Sequence, residues 1–272
     1  MPLRAGKTGT VRVATWNVNS LTVRMPRIEE WFDYAEPDVV CMQETKLADG
    51  AFPYLAFQSR GYEVAHNGTG RWNGVAIVSR VGLDDVTVGF GHAEGPTFDG
   101  DEVEPRLVSA TCGGVRVSSV YVPNGRGLDD PHYEYKLRWL AALRDEIAAS
   151  NKPDDAVVVC GDFNIAPQDK DCYDPKKFLT DTHTSPRERA ALDAITQWGF
   201  VDAFRTQHDA ERLYSWWDYR AGDFHQGRGL RIDLVLASAP LADKITFALI
   251  DRNARKGKQP SDHAPVLVDF DV

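Results

Sequence analysis

Several apolar runs in this sequence end in a carboxylate, an amide or a histidine. Val13-Ala14-Thr15-Trp16 leads to Asn17, Val39-Val40-Cys41-Met42 leads to Gln43 and Glu44, and Val157-Val158-Val159-Cys160 leads to Gly161, Asp162 and Asn164. Ser261-Asp262-His263-Ala264-Pro265 sets an Asp-His pair just before the last apolar run, and Arg231-Ile232-Asp233 puts an aspartate inside another. Asparagine and aspartate also start turns, which accounts for any one of these positions but weakens as an account of all of them together. In a layered α/β protein strand ends face one rim, so residues distant in sequence can converge there. Asp233 in particular needs a partner, because burying a lone carboxylate costs several kcal/mol.

Carboxylates and amide oxygens without a matching cysteine or histidine cluster are hard ligands that suit Mg²⁺ or Mn²⁺. The same acids would repel a phosphate unless a cation stood between them. With a histidine and amide donors added, the set suits metal-assisted hydrolysis of a phosphodiester, in which the metal neutralises oxygen charge while an aspartate orients or deprotonates water.

The elements that must position these residues are legible as short β-branched runs. They are Val11 to Thr15, Asp38 to Met42, Gly74 to Ser79, Leu107 to Thr111, Val115 to Val122, Ala156 to Cys160, Ile232 to Ala237 and Pro265 to Phe270, all read as strands. Ser185-Pro186-Arg187-Glu188 is a capping box that starts a helix burying Leu192 and Ile195, with Gly199 stopping it. A second helix is expected from about Pro26 to before Pro37, with Ile28, Trp31, Phe32 and Ala35 on one face. A third starts near Pro131 and is expected to bury Tyr133, Leu137, Leu140, Ala141 and Ile147. Some strands are joined by Gly-rich turns such as Cys112-Gly113-Gly114 and others by helices, so the sheets should be mixed and packed face to face with helices outside.

The 272 residues, 43% hydrophobic and 26% charged, can bury a full core, and no linker or repeat divides them. One domain over 1–272 is expected, with residues 1–10 a flexible N-terminus. The charge of −9 argues against bulk electrostatic coating of nucleic acid but allows a locally basic groove. No run approaches the ~20 apolar residues of a membrane span, and the opening residues lack a secretory h-region, so a cytoplasmic protein is expected. Cys41, Cys112, Cys160 and Cys172 lack CxxC spacing and fit buried free thiols.

Seven stretches, in order, carry a family resemblance: Thr15 to Asn19, Gln43 to Lys46, Tyr121-Val122-Pro123-Asn124-Gly125, Gly161-Asp162-Phe163-Asn164 to Pro167, Tyr214-Ser215-Trp216-Trp217 to Arg220, Gly229-Leu230-Arg231-Ile232-Asp233 and Ser261 to Pro265. They resemble exonuclease III and the class II AP endonucleases of the endonuclease/exonuclease/phosphatase superfamily, in its bacterial branch. The resemblance implies a four-layer α/β sandwich of two packed mixed β-sheets flanked by helices, the DNase I-like fold. It further implies a Mg²⁺-dependent repair nuclease (Mn²⁺ substituting) that cuts 5′ to abasic sites, digests DNA 3′ to 5′ and trims blocked 3′ ends, in base excision repair.

Residue by residue, it implies Glu44 as main metal ligand with Asn17 and Asp262 supporting it. Asp162 would orient and deprotonate water, and Asn164 would hold that water or donate to the phosphate. Tyr121 would donate to the phosphate or act on the leaving oxygen, and His263, paired with Asp233, would contact a non-bridging oxygen. A second ion would use Asp162, Asn164 and His263. Trp216, Leu230 and Ile232 match the wall of a small apolar pocket for a flipped-out baseless sugar. Leu230 stands where relatives from higher organisms tend to have an aromatic, and Asn19 where they carry an acid.

Lys46, Asn124, Arg126 and Arg220 are the expected DNA contacts beside the motifs, with Arg24, Arg27, Arg228 and the Arg252-to-Lys258 segment as further candidates for a basic rim. Such contacts position a duplex without reading its sequence. The expected partner is double-stranded DNA with abasic sites or 3′ ends, bound by a monomer near the nucleoid; no docking tail for a sliding clamp is evident. A lipid phosphodiesterase of the same superfamily would need a membrane-facing or polybasic segment, and neither is clear. A non-catalytic relative would have lost Glu44, Asp162, Asp233 or His263, and all are present. Segment Lys170 to Thr184 is expected to shape substrate preference.

Overall fold

In this computed structural model, which describes residues 9–100 and 102–272, twelve strands form two six-stranded sheets. The first has the order β11-β12-β1-β2-β4-β3 and the second β5-β6-β7-β8-β10-β9. The strands are β1 (Thr10–Asn17), β2 (Val39–Gln43), β3 (Glu63–Asn67), β4 (Val75–Ser79), β5 (Asp84–Val88), β6 (Leu107–Cys112), β7 (Val115–Tyr121), β8 (Val157–Asp162), β9 (Phe200–Asp202), β10 (Asp233–Ser238), β11 (Ile245–Ile250) and β12 (Val266–Asp271). β1 pairs with β2 and β7 with β8 in parallel; their other neighbours are antiparallel, so both sheets are mixed as expected.

The inner faces of the two sheets share one apolar cluster, in which Val13, Cys41 and Ile77 of one meet Val108, Val117, Cys160 and Val235 of the other. Helix Leu21–Ala35 covers the outer face of the first sheet through Leu21, Ile28, Trp31 and Phe32. Helices Pro131–Ser150 and Pro186–Thr196 cover the second through Trp139, Leu140, Leu192 and Ile195. The result is helix, sheet, sheet, helix. The cysteines are all buried and free, and no helix among the described residues is long and apolar enough to cross a membrane.

Three expectations are corrected. Helix Leu21–Ala35 starts five residues before Pro26, which sits inside it. Its first turn is held by tertiary bonds: Ser20 N–H donates to Glu44 O and Leu21 N–H to Thr45 O. Helix Pro131–Ser150 turns Lys136, Trp139 and Leu143 inward with Tyr133, Leu140 and Ile147, while Leu137 is half-buried and Ala141 exposed. Of the expected flexible N-terminus, residues 1–8 lie outside the described residues, and Thr10 already pairs with Asp271 in β1. The Cys112-Gly113-Gly114 turn forms as expected. Both glycines take positive φ, 56° and 81°, which the tight link from β6 to β7 requires.

Candidate active site

The expected residues meet at one rim because both sheets deliver strand ends there. The first sheet supplies Asn17 at the end of β1, Glu44 just after β2, and Asp262 and His263 just before β12. The second supplies Tyr121 ending β7, Asp162 ending β8 with Asn164 beyond it, and Asp233 opening β10. In the ladders Tyr121 lies opposite Asp162, and Asp162 opposite Asp233.

Ligand atoms of Glu44, Asp162 and His263 all lie within 4.8 Å of one another. Asn17 Nδ2 bridges the sheets, donating to Glu44 Oε1 (2.8 Å) and Asp162 Oδ2 (3.0 Å). His263 Nδ1 stands 2.9 Å from Asp233 Oδ2, and its Nε2 is 3.8 Å from Asp162 Oδ2. Asp233 thus takes His263, while Arg231 turns to Asp171 and Asp202. Asp262 lies outside the three-residue group; its oxygens accept from Asn19 Nδ2 (3.0 Å) and Trp216 Nε1 (3.1 Å). Asn164 engages every polar atom. Its N–H donates to Asp162 Oδ1, its Nδ2 to Val122 O, and its Oδ1 accepts from Asn124 Nδ2.

Electrostatics separates these groups. Burial opposes the charge of Glu44, yet the Lys46 ammonium at 2.8 Å and Asn17 hold its pKa below the usual range. Burial pushes Asp162 up; His263 pulls it down, Asp233 pushes it up again, and the result is about 7. Burial alone would lower His263, but Asp233 and Asp162 outweigh it and raise it to about 10. Tyr121 is pushed well above its ordinary value by burial and by Glu44, so its hydroxyl keeps its proton; the Arg106 guanidinium stands 4.6 Å from its ring centre. Four carboxylates (Glu44, Asp162, Asp233, Asp262) against Lys46 and His263 leave an excess of negative charge. That excess and the hard oxygen donors fit a divalent cation, which would relieve the raised pKa of Asp162.

Several of the non-glycine residues with positive φ lie in or beside the site. Glu44, Lys46, Arg126 and Asn164 all take φ between 52° and 61°, the left-handed region that residues other than glycine rarely adopt. Beside the acids, Leu230 and Ile232 pack with Ala166 and Cys172, and Phe178 and Trp216 close that small apolar cluster. Leu230 and Trp216 exchange backbone hydrogen bonds, which fixes the indole edge toward Asp262. Of the expected DNA contacts, Lys46 sits in the site, Asn124 and Arg126 are exposed at its edge, and Arg220 is exposed with its guanidinium on Asp218. Arg228 pairs with Asp223, Arg24 donates to Tyr219, and Arg255 is buried, so much of the anticipated basic rim is spent on internal partners.

Arg106 was not singled out in the sequence, and Ser261 was named there only as part of its motif. Arg106, buried behind Tyr121, binds Glu104 and donates to Tyr121 O, and Ser261 Oγ donates to Asn17 O while accepting from His263 N–H. Arg106 adjoins an apolar run, a signal that could have singled it out.

Fold and rim together define a phosphodiester hydrolase of DNase I-like architecture. The comparisons narrow this: residues 14–263 match the endonuclease/exonuclease/phosphatase family model, and the chain belongs to that family as an enzyme of its nuclease branch. It is 31% identical over 272 residues to exodeoxyribonuclease III of Haemophilus influenzae, covering 96% of this chain and 100% of the relative. It is 33% identical to an exodeoxyribonuclease of Bacillus subtilis, covering 94% and 98%. Among solved structures, the 3′ phosphatase NExo from Neisseria, bound to a product DNA hairpin, superposes with TM-score 0.90 at 38% identity, covering 96% of this chain and 100% of that one. An AP endonuclease from Archaeoglobus fulgidus gives TM-score 0.90 at 36% identity with the same coverage.

Proposed function

We propose that this protein is a Mg²⁺-dependent DNA repair nuclease that incises 5′ to abasic sites and also removes nucleotides and blocking groups from 3′ ends, in base excision repair. The observation that carries this reading is the convergence of Glu44, Asp162 and His263 within 4.8 Å beside the apolar Trp216, Leu230 and Ile232 cluster. A cation held by Glu44, with Asn17 and Asp262 in support, would screen the charge of the phosphate. A second ion, where one binds, would draw on Asp162, Asn164 and His263, the last only after loss of its Nε2 proton.

Asp162 takes the proton of the attacking water, a role that its place among Glu44, Asn17 and His263 at the rim suits. Asn164, its amide fixed by Val122 and Asn124, orients that water or the phosphate. His263 stays protonated between two aspartates and offers Nε2–H to a non-bridging oxygen. Tyr121 keeps its hydroxyl proton and gives it to the phosphate or the leaving oxygen. Trp216, Leu230 and Ile232 admit a sugar without a base, while Lys46, Asn124, Arg126 and Arg220 hold the flanking strand. The protein acts as a monomer in the cytoplasm.

The test uses a labelled duplex with one synthetic abasic site and an undamaged duplex with a recessed 3′ end, each with Mg²⁺ and with EDTA. Rapid Mg²⁺-dependent incision at the abasic site with slow digestion of the undamaged end is expected. Rapid digestion of the undamaged end would make it chiefly an exonuclease, and no cleavage of either duplex would overturn the reading.

A further inference from the structure

A lysine with no solvent exposure lies directly behind the loop that carries Asn164. Lys136, on the inward face of helix Pro131–Ser150, directs its ammonium at Asn164 O (2.7 Å), Asn124 O (3.2 Å) and Thr182 Oγ1 (3.2 Å), and pairs with the equally buried Glu188. Two of those acceptors are backbone carbonyls of the loops whose side chains meet at the rim, where Asn124 Nδ2 donates to Asn164 Oδ1 at 3.1 Å.

Holding a lysine without water is expensive, and burial lowers the Lys136 pKa although Glu188 opposes that shift. An apolar residue would fill the same volume more cheaply. What it could not do is draw two carbonyls of separate loops to one point. Asn164 has φ 52°, in the left-handed region that asparagine adopts more readily than most residues, which turns the chain sharply just after β8. Its carbonyl has two partners, the Lys136 ammonium and His183 Nδ1 at 2.7 Å. Burial and the Lys136 charge push His183 down to about 4, so it is neutral and Nδ1–H donates. Glu188 completes the arrangement from the capping box of helix Pro186–Thr196: it accepts from Thr182 Oγ1, His183 N–H and Ser185 N–H, and Thr182 Oγ1 lies 2.8 Å from Asn124 O.

We propose that Lys136 is a positioning residue for the nuclease reaction: with Glu188 and Thr182 it clamps the Asn124 and Asn164 loops together and ties them to segment Lys170 to Thr184. This rests on the function proposed above. Lys136 touches no reacting atom; it acts through the orientation of the Asn164 amide.

The double variant Lys136→Met with Glu188→Gln tests it. Methionine keeps the length of the stem, and glutamine keeps an acceptor for the capping box, so no unpaired charge is left behind. The expected result is a melting temperature within a few degrees of wild type, kcat on the abasic duplex lowered at least tenfold and KM changed less than about twofold. In the free protein the Asn164 side-chain amide resonance should shift and broaden. Wild-type kcat and an unmoved amide resonance in a folded double variant overturn the proposal. Should that variant not fold, Thr182→Val removes only the hydroxyl shared by the clamp; a two- to fivefold loss of kcat at constant KM is expected, and wild-type kcat overturns the proposal. If the wild-type protein cleaves no DNA, the functional reading fails, while the amide resonance still decides whether the clamp orders Asn164.

Discussion

Two buried clusters of acids and cations lie within a few residues of each other around the start of β10, and they differ in their charge balance. In the first, Asp171 and Asp202 face Arg231 and Arg205, two carboxylates against two guanidinium groups, with both cations also against the Phe204 ring. Burial opposes Asp171's charge, but Arg231 and Arg205 hold its pKa below the usual range; burial likewise opposes Arg231's charge, and its acids raise its pKa. In the second, the rim, acids outnumber cations, Asp162 is pushed up to about 7, and the backbone at Glu44 and Asn164 is left-handed. In the balanced cluster each buried charge has an opposite partner, so removing one deprives another of its partner. The unbalanced one is held in a state the chain alone does not favour, which is what a site awaiting a cation and a phosphate requires.

Substitutions on the two sides should therefore fail in opposite ways. Asp162→Asn should lower kcat on an abasic duplex by about 10³-fold, within the range for loss of a general base. Its melting temperature in EDTA at pH 8 should be no lower than wild type, since the removed charge is unfavourable in the fold. A marked loss of stability without loss of rate would erase the contrast. Asp171→Asn should do the reverse, costing about 3 kcal/mol in urea unfolding because Arg231 and Arg205 lose their shared partner. The rate per folded molecule should stay within about twofold.

Metal addition should act on one cluster only. Mg²⁺ at about a hundredfold over its Kd stabilises by about 2.7 kcal/mol through linkage, so melting temperature should rise by several degrees in wild type and not in Glu44→Gln. An equal rise in both would place the ion elsewhere.

The smallest effect is in pH. Asp171 has a lowered pKa in the fold, so its stabilisation is present above the ordinary carboxylate pKa of about 3.9 and is lost as pH falls below it. Asp162 is raised, which reverses the sign: in EDTA its contribution becomes less favourable as pH rises from about 4 toward 7. The lowered pKa of His183 contributes the opposite slope over the same range, so the decline should appear in the difference between wild type and Asp162→Asn in urea titrations, and Mg²⁺ should flatten that difference. A decline that persists with Mg²⁺ would detach Asp162 from the cation.

Eight strands are legible in the sequence and four are not, and the division is physical. β3, β5, β9 and β11 are the four sheet edges. β5 (Asp84–Val88) has no buried residue and opens on two aspartates, so it lacks the apolar run of a central strand buried on both faces; β11 (Ile245–Ile250) is apolar in sequence but half-exposed at the sheet edge, and its run alone does not separate a strand from a helix. Helix Leu21–Ala35 starts earlier than local signals allow because the Glu44 and Thr45 carbonyls receive the amides of Ser20 and Leu21. The strand-end acids were legible because a polar residue closing an apolar run is a local signal. Lys136 was not, since a single lysine on an amphipathic helix reads as solvated until Glu188 and two loop carbonyls are seen around it.

The sequence by itself determined the central strands, the capping box of helix Pro186–Thr196, the family and the residue types at the rim, because each is written in local pattern or in motif order. It paired His263 with Asp233 through the motif resemblance but did not say where Arg231 turns. Arg231 and Asp233 are two residues apart, a spacing that would put both on one face of a regular strand, but Arg231 lies before β10 begins and pairs with Asp171 and Asp202, while Asp233 pairs with His263. Burial and charge balance are sums over neighbours from both sheets, so the tertiary structure alone decided them.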